Sequence, residues 1–154
     1  MLDVAKEVQA ADRRIREYVV ETPLLEEGEV SYKLENRQHT GSFKARGAMN
    51  KRRSLEPEEL ARGVFTASTG NHGAAVAYGM RQLGATAIVF VPVGTPPGKC
   101  AAIERLGAEI RWAGTDCVEA DAAARREAEA SGAIYIPPYN DPQIVGGQGT
   151  IGLE

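Results

Sequence analysis

Three features of this 154-residue chain point to an α/β fold with a four-stranded parallel sheet and flanking helices. The first is a set of evenly placed glycines, Gly63, Gly84, Gly107 and Gly132, each standing just before a short apolar run. The runs cover 64–67, 86–91, 109–112 and 133–136. The second is the length and polarity of the stretches between them, 71–83, 97–106 and 116–131, which read as helices. A glycine after each helical pattern suits the left-handed residue that closes a helix. The third is the alternation itself, because strand, helix and strand at this spacing imply parallel pairing through right-handed crossovers. The units differ too much in sequence for a repeat array.

Upstream of the sheet, residues 3–17 read as an amphipathic helix. Val4, Val8, Ala11, Ile15 and Val19 fall on one stripe, and Asp3 is placed to cap its start. Thr22-Pro23 stops it, because the residue before a proline avoids helical angles. Gly28 permits a turn, and 30–35 reads as a strand with Tyr32 and Leu34 on one face. A loop over 36–41 leads to a helix over 42–54. Gly47 inside that helix costs about 1 kcal/mol relative to alanine, so something is expected to approach its backbone closely. Residues 56–62 read as a charged turn.

Composition narrows the partners. The length suits one core of ordinary size. A net charge of −3 with both signs interspersed, and no basic stripe, argues against nucleic acid. No apolar stretch reaches the length of a membrane span. No basic segment followed by an apolar run opens the chain. Cys100 and Cys117 have no motif spacing, which fits a reduced, cytoplasmic setting and leaves a disulfide between them open.

In a parallel sheet, ligands bind off the carboxyl ends of the strands. Four loops leave those ends here, at 68–73, 92–99, 113–115 and 137–142. In the first, Ser68, Thr69, Gly70, Asn71 and His72 offer hydroxyls and successive backbone N–H groups, which suit an anion. The same residues also suit an ordinary turn and cap, with Asn71 a favoured N-cap. Lys44 stands where a helix starts, after Thr40-Gly41-Ser42-Phe43. A helix N-terminus disfavours a cationic amine, and a neutral amine can attack a carbonyl, so Schiff-base chemistry suits the position. The residues alone leave a solvated first-turn lysine open as well. Tyr139, past the fourth run, either lines a substrate pocket or is a buried aromatic. Residues 94–100 look like a shortened phosphate loop but lack one residue of spacing and the terminal Ser or Thr. His39, His72 and two scattered cysteines make no zinc pattern, so no metal is expected.

Three stretches carry a family resemblance. They are Ser42-Phe43-Lys44-Ala45-Arg46-Gly47-Ala48, Ala67-Ser68-Thr69-Gly70-Asn71-His72-Gly73, and Ile136-Pro137-Pro138-Tyr139-Asn140-Asp141-Pro142 running on to 147–154. In that order they resemble the fold type II pyridoxal-phosphate enzymes, in the branch of threonine and serine dehydratases and serine racemase. The wording is most similar to the threonine dehydratases, including those of hydroxyectoine utilisation. The resemblance implies pyridoxal 5'-phosphate as cofactor, held by Lys44 as an imine, with Lys44 also moving the substrate's α-proton. It implies Phe43 against the cofactor ring, although core packing would look the same, and Asn71 on the ring hydroxyl. Ser68, Thr69, Gly70, Asn71 and His72 would hold the substrate carboxylate. Thr69 departs from the serine racemase pattern, where a serine is the second base, so dehydration is favoured over racemisation. Arg46 reads as structural, and no cofactor contact follows for Gln148.

The domains expected from this resemblance are the N-terminal part of a large cofactor domain at 1–55, a small α/β domain at 56–141, and a return segment at 142–154. The family's glycine-rich phosphate loop, and the Ser or Cys facing the pyridine nitrogen, come later and are not among these residues. With 150–154 reading as an unfinished helix, the chain is expected to be the N-terminal portion of a longer enzyme, with an incomplete second domain. Two functions follow. One is a lyase that dehydrates and deaminates threonine or serine to a 2-oxo acid and ammonia, as a homo-oligomer. The alternative is an inactive α/β module retaining only the amino-acid carboxylate loop.

Overall fold

The computed structural model describes residues 2–154. Helix α1 covers Val4–Ile15, and the Asp3 side chain caps it by accepting a hydrogen bond from the Lys6 N–H at 3.1 Å. Val8, Ala11 and Ile15 bury the expected stripe. Val4 is exposed at the first position, and Val19 lies beyond the helix. Strands β1 (Leu24–Glu27) and β2 (Val30–Lys33) pair antiparallel around Gly28, whose φ is +62°. The strand expected over 30–35 therefore stops at Lys33, gains a partner, and gives way to a 3-10 turn at Glu35–Arg37.

Helix α2 spans Lys44–Arg53. The charged turn at 56–62 contains a short helix, α3 (Pro57–Ala61), started by the Glu56 N–H donating to the Glu59 carboxylate at 2.9 Å. The sheet units follow as β3 (Val64–Ala67), α4 (Asn71–Arg81), β4 (Ala87–Val91), α5 (Pro97–Glu104), β5 (Glu109–Trp112), α6 (Cys117–Ser131) and β6 (Ile134–Tyr135). Helix α7 (Pro142–Gly149) and a 3-10 turn at Thr150–Leu153 close the chain. Gly63, Gly84, Gly107 and Gly132 all take positive φ, the conformation their positions after helices required.

The sheet runs β5-β4-β3-β6 with every pair parallel, as the alternation implied. Both of its faces are covered, so the central strands are apolar rather than alternating, apart from buried Thr66, whose hydroxyl donates to the Ile136 carbonyl. On one face, Val64, Val89 and Val91 pack with Ala75, Val76 and Met80 of α4 and Ile103 of α5. On the other, Phe65 and Phe90 meet Ala120, Ala124 and Ala128, one stripe of α6 at helical spacing.

Helices α1, α2 and α7 pack on one another, and α2 also packs on α4. The crossing of α2 and α7 explains Gly47. A Cβ there would lie 2.5 Å from Gln148 Nε2 and 2.9 Å from the Ile144 carbonyl oxygen. Across the contact, a Cβ on Gly147 would lie 2.6 Å from the Arg46 carbonyl oxygen. The close approach expected at Gly47 is thus a second helix, and it sets how α2 is held. No helix among the described residues is long and apolar enough to cross a membrane. Both cysteines are free, Cys100 buried and Cys117 exposed, which closes the question of a bond between them.

Candidate functional site

A cavity of about 610 Å³ opens at the carboxyl ends of β3 and β6. It is roomier than the clefts of about 490 Å³ at the end of α2 and about 310 Å³ beside Arg46. The loop 67–72 forms one wall, the segment 137–140 another, and the first two turns of α6 a third. Lys44 reaches in from the start of α2.

Lys44 is the first residue of its helix, with Phe43 at the cap position. Ser42 contributes as well, since its hydroxyl accepts the Lys44 N–H at 3.3 Å. The Lys44 ammonium donates to the Pro138 carbonyl oxygen at 2.8 Å. It also lies 4.5 Å from the Tyr139 ring centroid and 5.4 Å from that of Phe43. Burial disfavours its charge and lowers its pKa below the ordinary lysine value. It is half-buried and aimed at a cavity, unlike a solvated first-turn lysine.

Phe43 is 40% exposed, so it is not a core residue. Tyr139 lines the cavity at 68% exposure, not as a buried aromatic. Ser68, Thr69, Gly70, Asn71 and His72 all line the cavity. The cap differs from the expectation: Gly70 is the N-cap of α4, and Asn71 is its first helical residue. The Ser68 hydroxyl accepts the Gly70 N–H at 3.2 Å. Gly70 has no side chain to cap the following amides, so the first N–H groups of α4 face the cavity end of the helix without a side-chain partner.

His72 is buried, with Nε2 3.2 Å from the Ile136 carbonyl oxygen. That oxygen also accepts from the Thr66 hydroxyl at 2.8 Å. Burial, with the nearby Lys44 charge, pushes the His72 pKa down to about 4 against the opposing pull of the Ile136 carbonyl. The ring is therefore neutral near pH 7. A carbonyl can only accept, so the proton sits on Nε2 and Nδ1 is left an acceptor with no partner among the described residues. His72 thus ties the first loop to the base of the segment that carries Pro138.

Sequence reasoning did not identify Asp121 and Arg125 of α6, which also line this cavity. Asp121 accepts from the Tyr135 hydroxyl and from Arg125 Nε, the latter at 2.6 Å. The available signal was positional, since Asp121 and Arg125 each follow a member of the buried Ala120/Ala124 stripe. Arg46 turns away from the cavity, as a structural residue should. It is fully buried between Glu35 and Glu154, making two hydrogen bonds of 2.6–2.9 Å to each carboxylate.

A family model described as pyridoxal-phosphate dependent enzyme matches residues 15–154. The chain belongs to this family. It is 44% identical over 155 residues to an L-threonine ammonia-lyase of Geobacter sulfurreducens, covering 96% of this chain and 39% of that one. The solved structure of processed threonine deaminase isoform 2 from Solanum lycopersicum superposes with a TM-score of 0.90 at 35% identity, over 97% of this chain and 46% of that one. Maize serine racemase also gives a TM-score of 0.90, at 32% identity, over 96% and 47%. The chain thus spans less than half the length of these relatives.

The residues present fit a pyridoxal-phosphate family member. A primary amine of lowered basicity points into a cavity large enough for a small cofactor and an amino acid. An exposed aromatic ring stands beside the amine, and the start of α4 offers donors for an anion.

Proposed function

We propose that the chain serves a pyridoxal-phosphate-dependent lyase that removes water across the Cα–Cβ bond of threonine or serine, after which hydrolysis of the dehydrated product by one water gives a 2-oxo acid and ammonia. The observation that carries this reading is the placement of Lys44 Nζ, 2.8 Å from the Pro138 carbonyl, between the two strand-end loops. Its similarity to proteins named threonine ammonia-lyase and threonine deaminase supports the substrate class.

In this reading residues 1–55 and 142–154 form the part that presents Lys44, and 56–141 form the part that presents the substrate loop. The close packing of α1, α2 and α7 on one another supports that division. Bound pyridoxal phosphate would supply an electron sink that acidifies the substrate's Cα–H. Lys44 Nζ would hold the cofactor and would take the α-proton, for which a neutral amine is needed and burial favours it. The hydroxyls of Ser68 and Thr69 and the first N–H groups of α4 bind the substrate carboxylate. Asn71, which lines the cavity, would help hold the cofactor. Phe43 would stand beside the cofactor, and Tyr139 lines the cavity beside the amine. His72 donates to Ile136 and fixes the segment on which Pro138 and Tyr139 sit.

Dehydration rather than racemisation is favoured because position 69 is a threonine. The test is 2-oxo acid release from L-threonine and L-serine by the protein carrying this chain, with D-serine formation followed in parallel. Steady 2-oxo acid release that is lost in Lys44→Ala supports the reading. Retained release in Lys44→Ala, or D-serine as the main product, overturns it.

A further inference from the structure

At the far end of α2 from Lys44 lies a second cleft, of about 490 Å³, between the ends of α2 and α4 and the short helix α3. Its walls are Leu55, Pro57, Leu60 and Leu83. The cleft shares no lining residue with the strand-end cavity. Eight residues at a helical rise of about 1.5 Å put its charged end roughly 12 Å along α2 from Lys44.

The unusual group here is Arg52. It lines the cleft and is 4% exposed, yet no carboxylate among the described residues lies within ion-pair distance of it. Among the described residues its buried Nε has no partner, and one terminal nitrogen meets only the Met49 sulfur at 4.0 Å. Buried arginines are ordinarily paired, because an unpaired buried charge costs several kcal/mol. Arg46, on the same helix, shows the ordinary arrangement with two carboxylates. Of the acids that follow α2, neither Glu56 nor Glu58 pairs with Arg52, and the Glu59 carboxylate accepts from the Glu56 N–H at 2.9 Å and lies 3.9 Å from Arg62. Among the described residues no backbone carbonyl accepts from the Arg52 guanidinium either, whose one hydrogen-bond contact is the Met49 sulfur. Arg53, beside it, places its guanidinium 3.7 Å from the Tyr18 ring centroid and adds a second uncompensated positive charge.

We propose that this cleft binds a small carboxylate carried on an apolar body. A guanidinium offers a planar fork that matches a carboxylate in two parallel hydrogen bonds. Leu55, Leu60 and Leu83 give the apolar part a wall to cover. A compact, doubly charged anion such as phosphate would gain the charge but leave those walls wet. The volume suits a ligand of small-molecule size.

Isothermal titration with octanoate tests this, with 1-octanol and acetate as probes that each carry only half of the required chemistry. Saturable binding of octanoate is expected, at least about ten-fold tighter than either control, which corresponds to about 1.4 kcal/mol. Arg52→Leu removes an unpaired charge and is expected to fold, while weakening octanoate binding at least ten-fold. Leu60→Gln gives a second check on the opposite wall and is expected to weaken it several-fold. Lys44→Ala is expected to leave octanoate binding unchanged. The proposal fails if the parent shows no saturable binding, if octanol binds as well as octanoate, if Arg52→Leu binds normally, or if Lys44→Ala loses binding. The last result would place the probe in the strand-end cavity.

Discussion

Replacing Arg46 by methionine is the most informative stability experiment on this chain. The side chain is fully buried and grips Glu35 and Glu154, each through two hydrogen bonds. Methionine fills much of the same volume but strands two partly buried carboxylates. Breaking a buried ion pair from one side costs about 3–5 kcal/mol. Glu154 keeps Lys33 at 2.6 Å, so the loss is expected near the lower end, about 3 kcal/mol. With a urea m-value of about 2 kcal/mol per molar, the unfolding midpoint falls by roughly 1.5 M. The pH profile gives an independent reading. Burial raises the pKa values of Glu35 and Glu154, but Arg46 outweighs it and holds both below the ordinary 4.5. A carboxylate with a depressed folded pKa contributes stability above its unfolded pKa and loses it as pH falls through the folded one. Parent stability should therefore fall as the pH drops below about 4.5, and the Arg46→Met variant should lose the part of that dependence that Arg46 confers on Glu35 and Glu154, while Asp121 keeps its own share. Adding Glu35→Gln to Arg46→Met should recover at least about 1 kcal/mol. A single-variant loss below about 1 kcal/mol, with an unchanged acid limb, would refute the reasoning.

Three further outcomes follow from the geometry. Gly47→Ala gains about 1 kcal/mol of helix propensity but drives a methyl into Gln148 and Ile144, so a net loss of about 1–2 kcal/mol is expected by thermal unfolding. His72 should stay neutral by NMR titration down to about pH 5, since its folded pKa is about 4 against an ordinary 6.5. Because that pKa is depressed, its contribution to stability is full above 6.5 and declines as pH falls towards 4. Lys44, its pKa lowered by burial, should be acylated at a lower pH than the surface lysines, as peptide mapping would show.

The sheet was the most legible part of the chain because its signals are local. Gly63, Gly84, Gly107 and Gly132 mark helix ends by backbone geometry, and β3 and β4 are apolar because both their faces are covered. Strand β1 gave no such signal, since all four of its residues are exposed and no face alternates. Helix α7 was hidden for the opposite reason. Gly146, Gly147 and Gly149 have poor helix propensity, and they are glycine because α1 and α2 approach the backbone there too closely for a larger residue. Lys44 and the 68–72 loop could be read because motif and strand end coincide. Asp121 and Arg125 could not, because reaching the cavity from α6 depends on which face of that helix covers the sheet. Arg52 escaped notice because a missing partner is a property of three-dimensional surroundings.

The central claim is that Lys44 is the residue that holds pyridoxal phosphate. The direct measurement is to mix the purified chain with pyridoxal phosphate, record the visible absorption spectrum, reduce with borohydride, and locate the adduct by peptide mass spectrometry. A visible band in the parent, absent in Lys44→Ala, with the reduced adduct on Lys44, is the expected result. Equal bands in parent and variant, with adducts spread over surface lysines, would contradict the account.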